Sequence, residues 1–211
     1  MQIIVLATAA QKQELIGNTL ASEAVTWISE VEDFPAHKDA DAFIDLEFVN
    51  DEQRKAVLVQ LLPKPVVINS VVDTLKETGP GFIRINGWPT FLSSSLVEAA
   101  CSDAGSRQSV ENVFAVFEKE IVWLPDEPGF VAARVVSMIV NEAFLALGEG
   151  VSTKEEINTA MKLGTAYPFG PFEWAEKLGV QNVVTLLKKL GQTMPRYQPS
   201  ELMVQETNKG L

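Results

Sequence analysis

A chain with one histidine, His37, and one cysteine, Cys101, has few ways to perform acid–base or nucleophilic chemistry. His37 lies in "FPAHKDAD", a polar loop leading into an apolar run, and reads as a solvated imidazole. Cys101 has no basic neighbour to lower its pKa and reads as an inert thiol. The serines of "SSS" at 93–95 have no accompanying base, so they are not a nucleophile motif. Glu98 carries a carboxylate but, standing alone, reads as a structural or solvated group. Lys12 falls on the first turn of an expected helix, where it either meets an anion near the helix N-terminus or is a surface lysine. No metal is expected, because one histidine and one cysteine do not make a His- or Cys-rich ligand set.

The elements that must position these residues fall into two regimes. Over residues 1–125, "IIVLA" (3–7), "AVTWI" (24–28), "AFIDLEF" (42–48), "PVVINS" (65–70), "FIRING" (82–87) and "EIVWLP" (120–125) read as strands by length and β-branched content. Helical patterns lie between them, in "AQKQELIGNTLAS", "NDEQRKAVLVQLL" and "RQSVENVFAVFEKE". Such alternation predicts a mostly parallel sheet with crossover helices. Over residues 126–211 the strand signal disappears and five helices with short glycine-ended links predict an all-α domain. The longest spans 127–147, with Asp126 as its cap, Pro128 in its first turn and a narrow polar stripe of Arg134, Ser137 and Asn141. The next is capped by Ser152 with Glu155 or by Thr153 with Glu156, and closes at Gly164. "YPFGPFEW" (167–174) then breaks the pattern with two prolines and a glycine among four aromatics, most of them expected in the core.

Charge and hydropathy exclude several function classes. The 211 residues carry a net charge of −11 with no basic cluster, which argues against nucleic acid and against an anionic membrane surface as partners. With 46% hydrophobic and 21% charged residues, the composition is that of a folded domain. The N-terminal apolar run is too short for a secretory signal or a spanning helix, so a cytoplasmic location is expected.

The segment from "DEPGF" through "NEAFLALGEGV" to "AMKLGTAYPFGPFEW", continued by "RYQPS" at 196–200, resembles the C-terminal domain of 3-hydroxyacyl-CoA dehydrogenases. The resemblance covers nearly all of 126–200. It implies a helical dimerisation domain at 126–211, closing one side of an acyl-CoA cleft, behind a dinucleotide-binding domain at 1–125. The fold class is therefore a truncated, Rossmann-like α/β domain with a mostly parallel sheet, followed by an all-α domain.

In the first half, the resemblance can be followed position by position. A glycine-rich G-x-G-x-x-G turn would fall on Ala7, Ala9 and Lys12, none of which is glycine. The acidic residue for the ribose would fall on Ser29, with Glu30 beside it. Asp45 stands where the family usually has Glu, and Arg54 and Lys55 where it has Lys. The family's catalytic His–Glu pair, twelve residues apart, falls on Asn86 and Glu98 in "NGWPTFLSSSLVE". Its substrate-holding Ser falls on Val71, next to Ser70, and its Asn on Ala133. An amide takes up no proton near neutral pH, so three of these four positions lack the chemistry that oxidation of a hydroxyl needs. The expectation is a non-catalytic homodimer of acyl-CoA metabolism with no cofactor, possessing at most an acyl-CoA ligand. The alternative is a divergent NAD-dependent 3-hydroxyacyl-CoA dehydrogenase, favoured by the overall resemblance alone.

Overall fold

The structure, a computed structural model, describes residues 1–17 and 23–207. It divides into two compact units, Met1–Phe130 and Val131–Leu211. The first unit contains the strands β1 (Ile3–Leu6), β2 (Val25–Ile28), β3 (Ala42–Asp45), β4 (Val66–Asn69), β5 (Ile83–Ile85), β6 (Leu96–Cys101) and β7 (Glu120–Trp123). Its α-helices are α1 (Ala9–Ile16), α2 (Glu52–Val59), α3 (Leu75–Thr78) and α4 (Arg107–Ala115). The sheet order is β2-β1-β3-β4-β5-β6-β7, and every pairing is parallel except β5 with β6. The mostly parallel α/β sheet anticipated from the alternation is present.

Burial follows the pleat. Successive side chains point to opposite faces of a strand, so a strand covered on both faces is apolar at every position. Ile3, Val5, Ile44, Val67 and Ile85 pack on one face with Leu15, Val110, Val113 and Phe114 of α1 and α4. Ile4, Leu6, Phe43 and Ile68 pack on the other with Phe34, Leu58, Leu61 and Phe82. Phe34 comes from a 3-10 turn, Val31–His37, where the sequence suggests only a loop; its ring meets Phe43 edge-on at 5.9 Å. The sequence also hides β6, because its alanines have little strand preference. The expected helix beginning at "AQKQEL" ends at Ile16 with Gly17 at φ +58°, and residues 18–22 lie outside the described residues.

The second unit consists of α5 (Ala132–Gly148), α6 (Lys154–Thr165), α7 (Pro171–Leu178), α8 (Val180–Gly191) and α9 (Glu201–Thr207). The long helix starts five residues later than its sequence suggests. Gly129 (φ +81°) and Phe130 (φ +48°) turn the chain first, and Asp126 is not a cap. Instead, its carboxylate accepts the Leu75 N–H and pairs with Arg84. Most of the polar stripe of α5 faces inward. Ser137 and Asn141 are buried, while Val131, Val135 and Leu145 are 55%, 49% and 40% exposed. Asn141 shows why: its Nδ2 donates to the Gln198 carbonyl at 3.0 Å and its Oδ1 accepts the Ser200 N–H at 2.8 Å. It fastens α5 to the "RYQPS" segment. In α6 the cap is Thr153 with Glu156, and the left-handed residue closing the helix is Ala166 (φ +55°) rather than Gly164.

"YPFGPFEW" is the corner between α6 and α7. A Cβ on Gly170 would sit 2.6 Å from Asn158 Cα, so only glycine permits the approach. Asn158 Oδ1 then accepts the Phe172 N–H at 2.9 Å. Phe172 meets Phe144 and Phe169 meets Trp174, each pair edge-on, with centroids 5.0 and 4.9 Å apart. Glu173 accepts the Gly170 N–H and a Lys162 ammonium hydrogen, while Tyr167 and Pro168 remain exposed. The segment holds two helices together.

Candidate functional site

The carboxyl ends of β1, β3, β4 and β5 are where an open α/β sheet presents residues to a ligand. Asn86 follows β5 and is buried; Glu98 lies on the antiparallel neighbour β6. Their pairing brings the two side chains together, with Asn86 Nδ2 donating to Glu98 Oε2 at 2.9 Å and Asn86 N–H donating to the Glu98 carbonyl at 3.0 Å. The carboxamide can donate and accept hydrogen bonds, but it cannot shuttle a proton.

Val71 and Ser70 lie just past β4. The Val71 side chain is buried, and its carbonyl accepts from Gly129 N–H at 2.8 Å and from Arg84 Nη2 at 3.2 Å. The Ser70 hydroxyl donates to the Asp73 carbonyl at 2.9 Å, and the Ser70 carbonyl accepts from Arg84 Nε at 2.9 Å. Arg84 is fully buried, pairs with Asp126 and lies 4.7 Å from the Phe130 ring centroid. Burial pushes its pKa down, against the opposing effect of Asp126. Sequence reasoning passed over Arg84, although a charge in the middle of the apolar run "FIRING" was the available signal. Ala133 belongs to the other unit, as a fully buried methyl group on α5.

The start of α1 is closed by its own side chains. Thr8 caps the helix in a reciprocal box with Gln11, so that Thr8 Oγ1 accepts the Gln11 N–H and Gln11 Oε1 accepts the Thr8 N–H. Ala7 is half-buried and Ala9 exposed, and each brings a Cβ where a dinucleotide turn uses glycine. Lys12 lies over the Trp27 ring, with Nζ 4.5 Å from the centroid. Glu30 and Ser29 are exposed beyond β2, and Glu30 opens the 3-10 turn without a side-chain capping bond.

Asp45 ends β3 fully buried and receives two bonds from Arg54, each 2.6 Å. Burial pushes the Asp45 carboxyl up, against the hydrogen bonds and charge of Arg54. For Arg54, burial opposes the charged form, yet Asp45, Glu47 and Asp51 outweigh it and raise its pKa. The pair anchors α2 to the sheet. A cavity of about 140 Å³ nearby, lined by Phe48, Asn50, Asn69, Ser70 and Trp88 among others, has room for a few water molecules at about 30 Å³ each.

Elsewhere, His37 is half-buried at the end of its 3-10 turn, and the Cys101 thiol donates to the Asp103 carbonyl at 3.2 Å. Ser93 and Ser94 serve the turn before β6: Ser93 Oγ donates to the Thr90 carbonyl and Ser94 Oγ accepts the Leu96 N–H. Among the described residues, no group of three or more His, Cys, Asp or Glu could hold a metal, and no helix is long and apolar enough to cross a membrane.

Residues 129–211 match the family model for the 3-hydroxyacyl-CoA dehydrogenase, C-terminal domain. Over its second unit, the chain is thus similar to the C-terminal domain of the 3-hydroxyacyl-CoA dehydrogenases. The 3-hydroxyadipyl-CoA dehydrogenase of Escherichia coli (strain K12) is 42% identical over 89 residues, which are 41% of this chain and 19% of that protein. A 3-hydroxybutyryl-CoA dehydrogenase of Bradyrhizobium diazoefficiens is 29% identical over 132 residues, 62% of this chain and 45% of that protein. The chain spans less than half the length of these curated relatives. The crystal structure of (S)-3-hydroxybutyryl-CoA dehydrogenase from Ralstonia eutropha superposes with a TM-score of 0.75 at 21% identity, covering 99% of this chain and 94% of that one. That likeness establishes the fold, including the degenerate first unit. Within this fold, Asn86 is joined to Glu98, Val71 has a backbone role and Ala133 is buried as packing.

Proposed function

We propose that this protein is a non-catalytic member of the 3-hydroxyacyl-CoA dehydrogenase family and acts as a binding or assembly protein of acyl-CoA metabolism. The observation that carries the reading is the Asn86–Glu98 hydrogen bond. Oxidising a 3-hydroxyacyl group requires a base for the hydroxyl proton, and a carboxamide at that position supplies none. Val71 and Ala133 likewise offer no polar side-chain atom to hold a substrate.

The family's cofactor suits these residues poorly. NAD would supply the hydride acceptor, but Ala7 and Ala9 carry Cβ atoms, and Thr8 and Gln11 satisfy each other at the helix start. No cofactor is therefore proposed. Homodimerisation through the second unit is proposed on different grounds. A groove of about 610 Å³ along α5 is lined mostly by apolar residues, Val135, Met138, Ile139, Ala146 and Met161 among them, with Arg134, Glu142 and Arg196 also present. A symmetric copy would cover such a surface on both molecules. An acyl-CoA remains the proposed small ligand.

Calorimetry with NADH and with acetoacetyl-CoA, while following NADH oxidation, tests this reading. Neither turnover nor NADH binding is expected. Turnover would overturn it and favour a divergent NAD-dependent dehydrogenase. Acetoacetyl-CoA binding alone would specify the binding role, and no response to either compound would specify an assembly role.

A further inference from the structure

The carboxyl ends of the central strands are joined by the chain's own amides. Gln11 Oε1 accepts the Thr8 N–H at 3.0 Å and the Thr8 hydroxyl at 3.1 Å, while its Nε2 donates to the Leu46 carbonyl at 2.8 Å. That carbonyl also accepts from Asn69 Nδ2 at 3.1 Å. Asn69 continues the line to Gly87, donating to its carbonyl at 3.1 Å and accepting its N–H at 2.9 Å. Leu46 N–H reaches back to the Leu6 carbonyl at 2.9 Å. Bonds thus run across β1, β3, β4 and the end of β5, with Gln11 bracing them to α1. At Gly87 a Cβ would meet Asn69 Cγ at 2.8 Å, so the double bond with Asn69 depends on glycine.

The sheet's switch point lies within this line, since the chain passes from β1 to β2 on one side and returns to β3 on the other. An open helix start at such a point offers N–H donors and the positive end of a dipole to an anion. We infer that Gln11 is an internal ligand: its carboxamide takes the seat of an anionic group at the start of α1 and ties it to the opposite wall of the β1/β3 crevice. One oxygen meets two donors of Thr8, and one nitrogen meets the carbonyl of β3. A phosphate oxygen seated there must break all three bonds, and the Leu46 carbonyl then faces it as a second acceptor. This rests on the proposed absence of a dinucleotide and gives it a residue.

Amide NMR on the full chain tests the inference, comparing wild type with Gln11→Leu and Gln11→Glu and using inorganic pyrophosphate as the probe. In Gln11→Leu, the Thr8 amide should exchange about fivefold faster, the change expected for losing one net hydrogen bond. Millimolar pyrophosphate should then shift the amides of residues 8–12 in that variant and leave wild type unmoved. Gln11→Glu keeps the acceptor and loses the donor, so it should retain Thr8 protection, lose the Leu46 contact and ignore pyrophosphate. If Gln11→Leu fails to fold, this variant decides, because unprotected Thr8 in it overturns the inference. Equal exchange or equal pyrophosphate response in wild type and Gln11→Leu also overturns it. NADH turnover by wild type would overturn both this inference and the non-catalytic reading, because a bound dinucleotide needs the seat that Gln11 fills; a pyrophosphate response in wild type without turnover would overturn this inference alone.

Discussion

The sheet unit and the helical unit treat their informative residues in opposite ways. In the sheet unit, polar side chains that could face a ligand are turned to one another: Asn86 to Glu98, Gln11 to Thr8 and Leu46, Asn69 to Gly87, and Asp45 to Arg54. In the helical unit, Ser137 and Asn141 of α5 are buried beside Ala133, Val140, Ala143 and Phe144, while Val135 and Leu145 are 49% and 40% exposed. Buried hydrogen-bonding groups must find partners inside the chain, because burying them unpaired is costly. An outward apolar face has no such internal remedy and calls for a partner.

Breaking a buried pair should cost the sheet unit most. Asp126→Ala leaves the fully buried Arg84 without its partner, and urea unfolding should show a loss on the order of 3–5 kcal/mol. In the helical unit, Gly170→Ala forces a Cβ onto the Asn158 backbone; thermal unfolding should show a loss of about 1–3 kcal/mol. Val135→Glu sharpens the contrast, because this exposed position should leave monomer stability within about 0.5 kcal/mol. Sedimentation of that variant should nevertheless show a monomer where wild type shows a dimer; a monomeric wild type at micromolar concentration would end the dimer proposal.

The smallest effect is on pH dependence. Hydrogen bonding to Lys162, then to Gly170 N–H, lowers the Glu173 pKa below its ordinary 4.5. A carboxyl depressed in the folded state binds protons less readily than in the unfolded chain. Its stabilisation is therefore present above pH 4.5 and is lost as pH falls through the lower folded value. Glu173→Gln should flatten the acid limb of stability slightly and leave neutral pH values almost unchanged relative to each other.

Much of this protein was legible in its residues. The six β-branched runs, a cap at Ser152 or Thr153 and the "YPFGPFEW" break all rest on local stereochemistry, which neighbours in sequence carry with them. Strand β6 was not legible, because "LVEAAC" becomes a strand through its pairing with β5 and β7. Nor was the fate of Asp126, a good helix cap by type that tertiary structure assigns to Arg84 instead. The role of the polar stripe on α5 was not legible either, because the partners that make Asn141 an interior bolt stand 57 and 59 positions away. Sequence alone determined most element types and that position 86 carries an amide, which accepts no proton near neutral pH. Only tertiary structure decided which polar groups satisfy one another, since that depends on long-range hydrogen bonds that local sequence cannot express.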